Sequence, residues 1–277
     1  MAVTNGPQIR LRADIGAEVG LGSSSNVNMN NATIRSLIGK GSGVQTSMSE
    51  YYGASSAPTL VGTGSRVEAG FTYGFNSNNR IDLTGAGIQV GDFVVIGLTS
   101  DNTIRKFNYW NGMSGLKRYD GGDASANPIS LNSAVSSPGW EVVSGEWQSG
   151  DSNPYITPIT YDGNPITLCF AIFRNVNGRQ QHEVAQNSAN SSPNPPQVNA
   201  VSGNTSIIIC VGHLDDRNIN MAAPSGYTLA VARGGTTTRS ASTAIAYKIT
   251  TDNGAHDPGA FNVFGNWDSW AASTIRA

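Results

Sequence analysis

The side chains able to do chemistry are few and scattered. His182, His213 and His256 are the only histidines, and none has a second His, Cys or carboxylate at the spacing of a zinc site. The nearest approach to a cluster is HLDD (213–216), where an imidazole beside two carboxylates could serve as a metal ligand set or a general base. Its place directly after the apolar run IIICVG reads more simply as a polar loop leaving a strand. RYDGGDAS (118–125) sets two Asp around a Gly pair, but a calcium loop closes on a bidentate acid that is missing here, so a turn is expected. The chain has no G-x-S-x-G, no H-E-x-x-H and no P-loop lysine motif. GTGSRVEAG (62–70) puts glycines near an arginine, with no strand before it and no helix after it, which argues against phosphate binding. Glu141, Glu146, Asp151, Asp162 and Glu183 could converge, but nothing selects a pair. The expectation is a non-enzymatic protein with no catalytic residues, no metal site and no cofactor.

Binding chemistry has a better candidate. The stretch 102–137 carries Tyr109, Trp110 and Tyr119 beside Lys106, Lys117 and Arg118, and aromatic faces with polar neighbours suit a glycan or protein receptor. The alternative is that IRKFNYW (104–110) is a strand and that Trp110 packs inward. Trp140 and Tyr227, each after a Pro/Gly turn, read as core plugs.

These residues must be positioned by β-structure. FTYGF (71–75), DFVVIGLTS (92–100), GWEVVSGEW (139–147), ITLCFAIFR (166–174), SIIICVGHL (206–214), YTLAVAR (227–233) and TAIAYKIT (243–250) are rich in β-branched and aromatic residues, and turn clusters bound them. In ITLCFAIFR one face carries Ile166, Leu168, Phe170 and Ile172, and the other carries Thr167, Cys169, Ala171 and Phe173. A strand apolar on both faces is enclosed and needs layers around it. The fold expected is mainly β: a jelly-roll-like antiparallel β-sandwich over 71–277, with two Greek keys of four strands. GDFVVIGLTSD and SPGWEVVSG are echoed by NTSIIICVGHLDD and APSGYTLAVARG, after which the halves diverge. Residues 54–70 read as a linker, and SANSSPNPPQVN (188–199) reads as a surface loop joining the halves. Cys169 and Cys210, each within an apolar run, read as buried free thiols.

Residues 9–53 form short helical patterns between Gly/Ser turns. Leu11, Ile15 and Val19 recur at fourfold spacing; Ile34, Leu37 and Ile38 share a face behind an N-cap at Asn30 or Asn31; Met48, Tyr51 and Tyr52 fall together before Gly53. These apolar stripes are too small to make a core of their own, so a segment over 1–53 is expected to fold against another protein or against copies of itself. NVNMNNATIRSLIGKGSGVQTSMSEYYG (26–53) resembles a segment near the N-terminus of many tailed-bacteriophage structural proteins, of the form "islndanvRtLaGkaSGaIsmsdfyG". Arg35, Leu37, Gly39, Ser42, Gly43, Met48, Ser49, Tyr52 and Gly53 match it, whereas Gln45 and Thr46 depart from it and Tyr51 replaces the common Phe. The order of GD with an apolar strand, PGW, AYKIT and the closing NWDSWAASTIRA is similar to a β-sandwich domain of phage and prophage proteins. The resemblance implies virion docking through Leu11, Ile15, Val19, Ile34, Arg35, Leu37, Ile38, Met48, Tyr51 and Tyr52, and no catalytic residues come with it.

Composition fits that setting. Of 277 residues, 13% are charged and the net charge is −2, which disfavours nucleic-acid binding because no clustered Lys/Arg surface appears. No apolar run approaches a membrane span, and MAVTNGPQIRLR has no apolar core of a signal peptide, so assembly in a host cytoplasm into a virion is expected. The leading expectation is a tail fibre, baseplate or adaptor-attached component that contacts the host surface. Its partners would be other phage structural proteins and copies of itself, with a homotrimer expected. The alternatives are a capsid decoration protein or head fibre, and a prophage-borne lectin or carbohydrate-active protein.

Overall fold

The computed structural model describes residues 28, 31–36, 40–41, 45, 57–68, 80–100, 106–118, 129–130, 139–158, 165–176, 178–187, 191–199, 205–215, 221–235, 241–251, 254–263 and 269–277. The chain divides into two units, Met1–Ala57 and Pro58–Ala277. In the first, α1 spans Ala32–Ser36. Asn31 is its N-cap: the side-chain oxygen accepts from the backbone N–H of Thr33 at 2.9 Å and of Ile34 at 3.4 Å, satisfying donors that have no partner inside the helix.

Among its described residues the regular structure of the second unit is β-strand. In chain order its strands are β1 (Thr59–Glu68), β2 (Phe93–Ser100), β3 (Lys106–Asn111), β4 (Lys117–Arg118), β5 (Ile129–Ser130), β6 (Gly139–Glu146), β7 (Tyr155–Pro158), β8 (Ile166–Arg174), β9 (Gln181–Asn187), β10 (Val198–Asn199), β11 (Ser206–Leu214), β12 (Met221–Ala222), β13 (Thr228–Gly234), β14 (Ser242–Thr250), β15 (Ala255–His256), β16 (Asn262–Val263) and β17 (Trp270–Arg276). Two five-stranded antiparallel sheets face each other, ordered β1-β8-β2-β6-β4 and β13-β14-β11-β17-β9. Short ladders β5-β3-β7, β10-β15 and β12-β16 lie beside them. The mainly β, antiparallel sandwich expected from the sequence is what forms. Its strands are allotted sheet by sheet: the first sheet is drawn from Thr59–Arg174 and the second from Gln181–Arg276, five and five where four and four were expected.

Strand alternation explains the layering. Phe93, Val95, Val142, Ala171 and Phe173 of the first sheet meet Ile207, Ile209, Val211, Ile245 and Ile275 of the second in one buried cluster. The intervening residues point outward and are buried too. Val94, Ile96, Leu98, Leu168, Phe170 and Ile172 lie under Ile81, Leu83, Trp110 and Trp147, while Cys210, Ala244, Ala246 and Ala272 lie under Met221 and Phe261. The two faces of β8 divide as its sequence suggested, and both central strands β2 and β11 are buried along their whole length.

Two expectations need correction. Within the expected linker, Thr59–Glu68 is a strand instead: β1 pairs with β8 from Thr59↔Arg174 to Glu68↔Ile166, and the sandwich unit begins at Pro58, not residue 71. The strand was hidden by its glycines, which are there for packing: a Cβ on Gly62 would collide with the Ala86 carbonyl, and one on Gly64 with the Phe170 ring. The segment 191–199 does not join the halves. It lies between β9 and β11 with Pro193, Pro195 and Val198 buried, and the join is the short stretch 175–180, where Asn175 (φ 59°) and Gly178 (φ 76°) turn the chain. FTYGF falls outside the described residues.

The GD of the resemblance has a physical role. Gly91 takes φ 91°, and the buried Asp92 receives Nε and Nη2 of Arg174, each at 2.8 Å, as well as the Gln89 N–H at 2.8 Å. This fork of two parallel hydrogen bonds ties the start of β2 to the end of β8 and holds the Arg174 proton more firmly than usual.

Candidate functional site

Of the expected docking residues, Ile34 and Arg35 are described, and both are already covered within the chain, at 0% and 3% exposure. Arg35 Nε donates to the Gly41 carbonyl at 2.9 Å, and the Lys40 N–H donates to the Arg35 carbonyl at 3.1 Å. Both ends of Arg35 are thus tied to the residues that follow the helix, Lys40 and Gly41. Ile34 and Arg35 offer no free docking surface. Leu11, Ile15, Val19, Leu37, Ile38, Met48, Tyr51 and Tyr52 lie outside the described residues.

For the expected receptor contacts, Trp110 is fully buried in the outer cluster of the first sheet, on β3, which leaves the packing alternative as its role. Tyr119 and the side chain of Tyr109 lie outside the described residues. Trp140 is a core plug, as read, with its indole N–H on Gln186 at 3.2 Å.

His213 does not leave the strand in a polar loop. It sits in β11 between the sheets at 0% exposure, with Trp140 stacked on it at 5.7 Å and 26°. Thr99 Oγ1 is hydrogen-bonded to His213 Nδ1 and lies 2.6 Å from Thr243 Oγ1. Burial pushes the imidazole down to about 3, so it is neutral and closed to substrate or metal. Two of the suspected acids are occupied as well: Glu141 is buried against Arg118 at 3.2 Å, and Asp151 holds a turn through the Gln148 N–H at 2.7 Å and the Ser114 hydroxyl at 2.8 Å. Cys169 and Cys210 are free and buried on opposite faces, inner and outer, and desolvation pushes both thiols up. Among the described residues no three His, Cys, Asp or Glu gather as a metal site.

A cleft of about 330 Å³ opens on the outer face of β1 and β8. Gly64 leaves room for the Phe170 ring as its floor, and Arg66, Arg80 and Asp82 stand at its walls. Arg80 is fixed: its guanidinium lies 4.7 Å over the Tyr155 ring and donates to Ser152 Oγ and the Asn153 carbonyl, each at 3.1 Å. Asp82 accepts from the Gly85 N–H at 2.8 Å, from Thr84 Oγ1 at 3.1 Å and from Asn153 Nδ2 at 3.1 Å. Those bonds, the Gly85 amide first, hold its carboxyl below the usual range and keep it ionised. Guanidinium donors, a carboxylate acceptor and an apolar floor can hold a polyhydroxy or carboxylated ligand of about monosaccharide size. Sequence reading missed this site because Arg66 lay in the supposed linker and Arg80 and Asp82 lay in no motif.

A scan against protein-family models and searches of the curated proteins and of the solved structures return no match.

Proposed function

We propose that the protein is a non-enzymatic structural component of a bacteriophage virion, attached through its N-terminal segment and presenting the sandwich outward. Its leading placement is the tail, as a fibre, baseplate or adaptor-attached protein that touches the host surface. The observation that carries this reading is the correspondence of residues 26–53 with the phage segment, to which the Asn31 cap and the Arg35 bond to Gly41 give a physical logic. Since Ile34 and Arg35 are spent inside the chain, docking falls to the remaining apolar positions, Leu37 and Tyr52 among them.

The test is incorporation into particles. Leu37→Asp with Tyr52→Asp puts charge where an interface would bury it, at a cost of several kcal/mol, and should leave a folded β-protein absent from virions. Removing residues 1–53 should do the same. Normal copy number after either change would put docking on the sandwich and end this reading. Labelling of intact particles separates the tail from the alternative of a capsid decoration or head fibre. The cleft at Arg66, Arg80 and Asp82 favours a second reading, a prophage-borne lectin or carbohydrate-active protein, and a glycan array with an Arg66→Ala control decides it: binding that the substitution abolishes supports it.

A further inference from the structure

We infer that the sandwich is an internal duplication: Pro58–Arg174 and Gln181–Ala277 are two copies of one folding unit, packed face to face about a pseudo-twofold axis that passes beside Thr99 and His213. In the first sheet the strands in chain order are β1, β2, β4, β6 and β8, and their spatial order is first, fifth, second, fourth, third. In the second they are β9, β11, β13, β14 and β17. Read from β9, the spatial order is again first, fifth, second, fourth, third. In both, the last strand slots between the first two, an arrangement with many alternatives that two unrelated sheets have no reason to share.

The agreement extends to one short ladder in each half, β3-β7 and β12-β16, and to single residues, while among the described residues β5 and β10-β15 have no counterpart. Between its second and third sheet strands the first half places β3, which pairs with β7 from between the fourth and fifth. The second half does the same with β12 and β16. Trp110↔Ile156 and Asn111↔Tyr155 therefore answer to Met221↔Val263 and Ala222↔Asn262. Trp110 and Met221 are both buried in the outer cluster of their own sheet. From there the chain runs the same number of residues to a Ser-Gly turn, Ser114-Gly115 and Ser225-Gly226, and then into the third strand two residues later, at Lys117 and Thr228.

The packing of the sheets carries the axis. In the first half Thr99 lies opposite Trp140 on the fourth strand, and in the second half His213 lies opposite Thr243 on the fourth strand. Thr99 thus answers to His213, and Trp140 to Thr243. About a twofold axis at this point the contact of Thr99 with His213 maps onto itself, and the contact of Trp140 with His213 must be matched by one of Thr243 with Thr99. All three contacts are present. It also requires the central strands β2 and β11, the second of each half, to lie over each other, as they do, and the contact of β1 with β13 to be matched where β4 meets the approach to β9, where Arg179 donates to the Arg118 carbonyl.

Two experiments test this. In a crystal structure of the full chain, one rotation close to a half-turn should carry all five strands of the first sheet onto the second, bring β3-β7 onto β12-β16, and return His213 onto Thr99. A rotation that leaves β3-β7 and β12-β16 unmatched overturns the duplication. The second experiment rotates the central cluster. Trp140→Thr alone should lower Tm by roughly 6–20 °C. Adding Thr243→Trp, Thr99→His and His213→Thr rebuilds the same contacts about the axis and should recover at least about half of that loss. A fourfold variant no more stable than Trp140→Thr overturns the axis.

Discussion

The outer face of the first sheet and that of the second are closed by different means. Over the first, a loop through Ile81 and Leu83 and the indoles of Trp110 and Trp147 cover the strands, the Asp92–Arg174 fork ties loop to sheet, and a cleft is left at the edge. Over the second, the segment 191–199 is held mainly through its backbone: Thr274 Oγ1 donates to the Pro196 carbonyl at 2.6 Å, Arg276 donates to the Asn199 carbonyl, and the Phe261 N–H donates to the Pro193 carbonyl at 2.8 Å. Carbonyls survive substitution of their own side chains, whereas a carboxylate does not. The first cover should therefore be the more sensitive to mutation, and the one whose edge is open to a ligand.

The largest expected effect is on the paired plugs. Trp110→Ala should cost about 3–5 kcal/mol and Met221→Ala about 2–4 kcal/mol in urea unfolding, the indole leaving the larger cavity. A negligible loss for Trp110→Ala would return it to the surface and undo the comparison. Next is a property of the layer shared by both halves. His213 is neutral when folded, at about 3, and ordinary when unfolded, near 6.5, so the unfolded chain takes up the extra proton as pH falls. Stability should be unaffected above about pH 6.5 and should drop below it by up to about 1.4 kcal/mol per pH unit, until the folded value is reached. His213→Gln should flatten that slope, and an unchanged slope would assign the acid sensitivity elsewhere.

Asp92→Ala should cost about 2–3 kcal/mol, since charged hydrogen bonds are lost while the half-exposed Arg174 can still hydrate. Thr274→Val, which removes one clamp on the second cover, should cost about 1 kcal/mol, and equal losses at the two positions would erase the contrast. Least of all, Arg66→Ala should leave stability within about 0.5 kcal/mol, because the side chain is exposed.

Much of this architecture was readable from residue order. The enclosed runs 93–96 and 207–211, the two faces of ITLCFAIFR and the bounds of β8 and β11 follow from alternation and branching, which report burial directly. The missed strands are edge strands. TLVGTGSRVE is glycine-bearing where other chain segments cross it, and QHEVAQN is polar and half-buried, so neither carries a core pattern. The duplication was visible only as an echo, and half of that echo was misaligned. GDFVVIGLTSD does answer to NTSIIICVGHLDD, but SPGWEVVSG answers to the AYKIT strand β14, while APSGYTLAVARG answers to GMSGLKRY around β4. A shared Pro/Gly turn before an aromatic outweighed strand order, because β4 is only two residues long. His213 was misplaced for a related reason: a titratable residue next to two acids looks like a loop until the opposite sheet is known.

Because each sheet is drawn from one continuous stretch, the two sheets differ in when they can exist during synthesis. The first cannot close until Arg174 has left the ribosome, since β8 must enter between β1 and β2, strands that begin 107 and 73 residues earlier. Once closed, it presents Phe93, Val95 and Phe173 to water until the rest of the nascent chain arrives. Where many ribosomes translate one message at once, the nearest fitting cover for that surface is the second half of a neighbouring chain, so yield should depend on expression rate more steeply than on final stability.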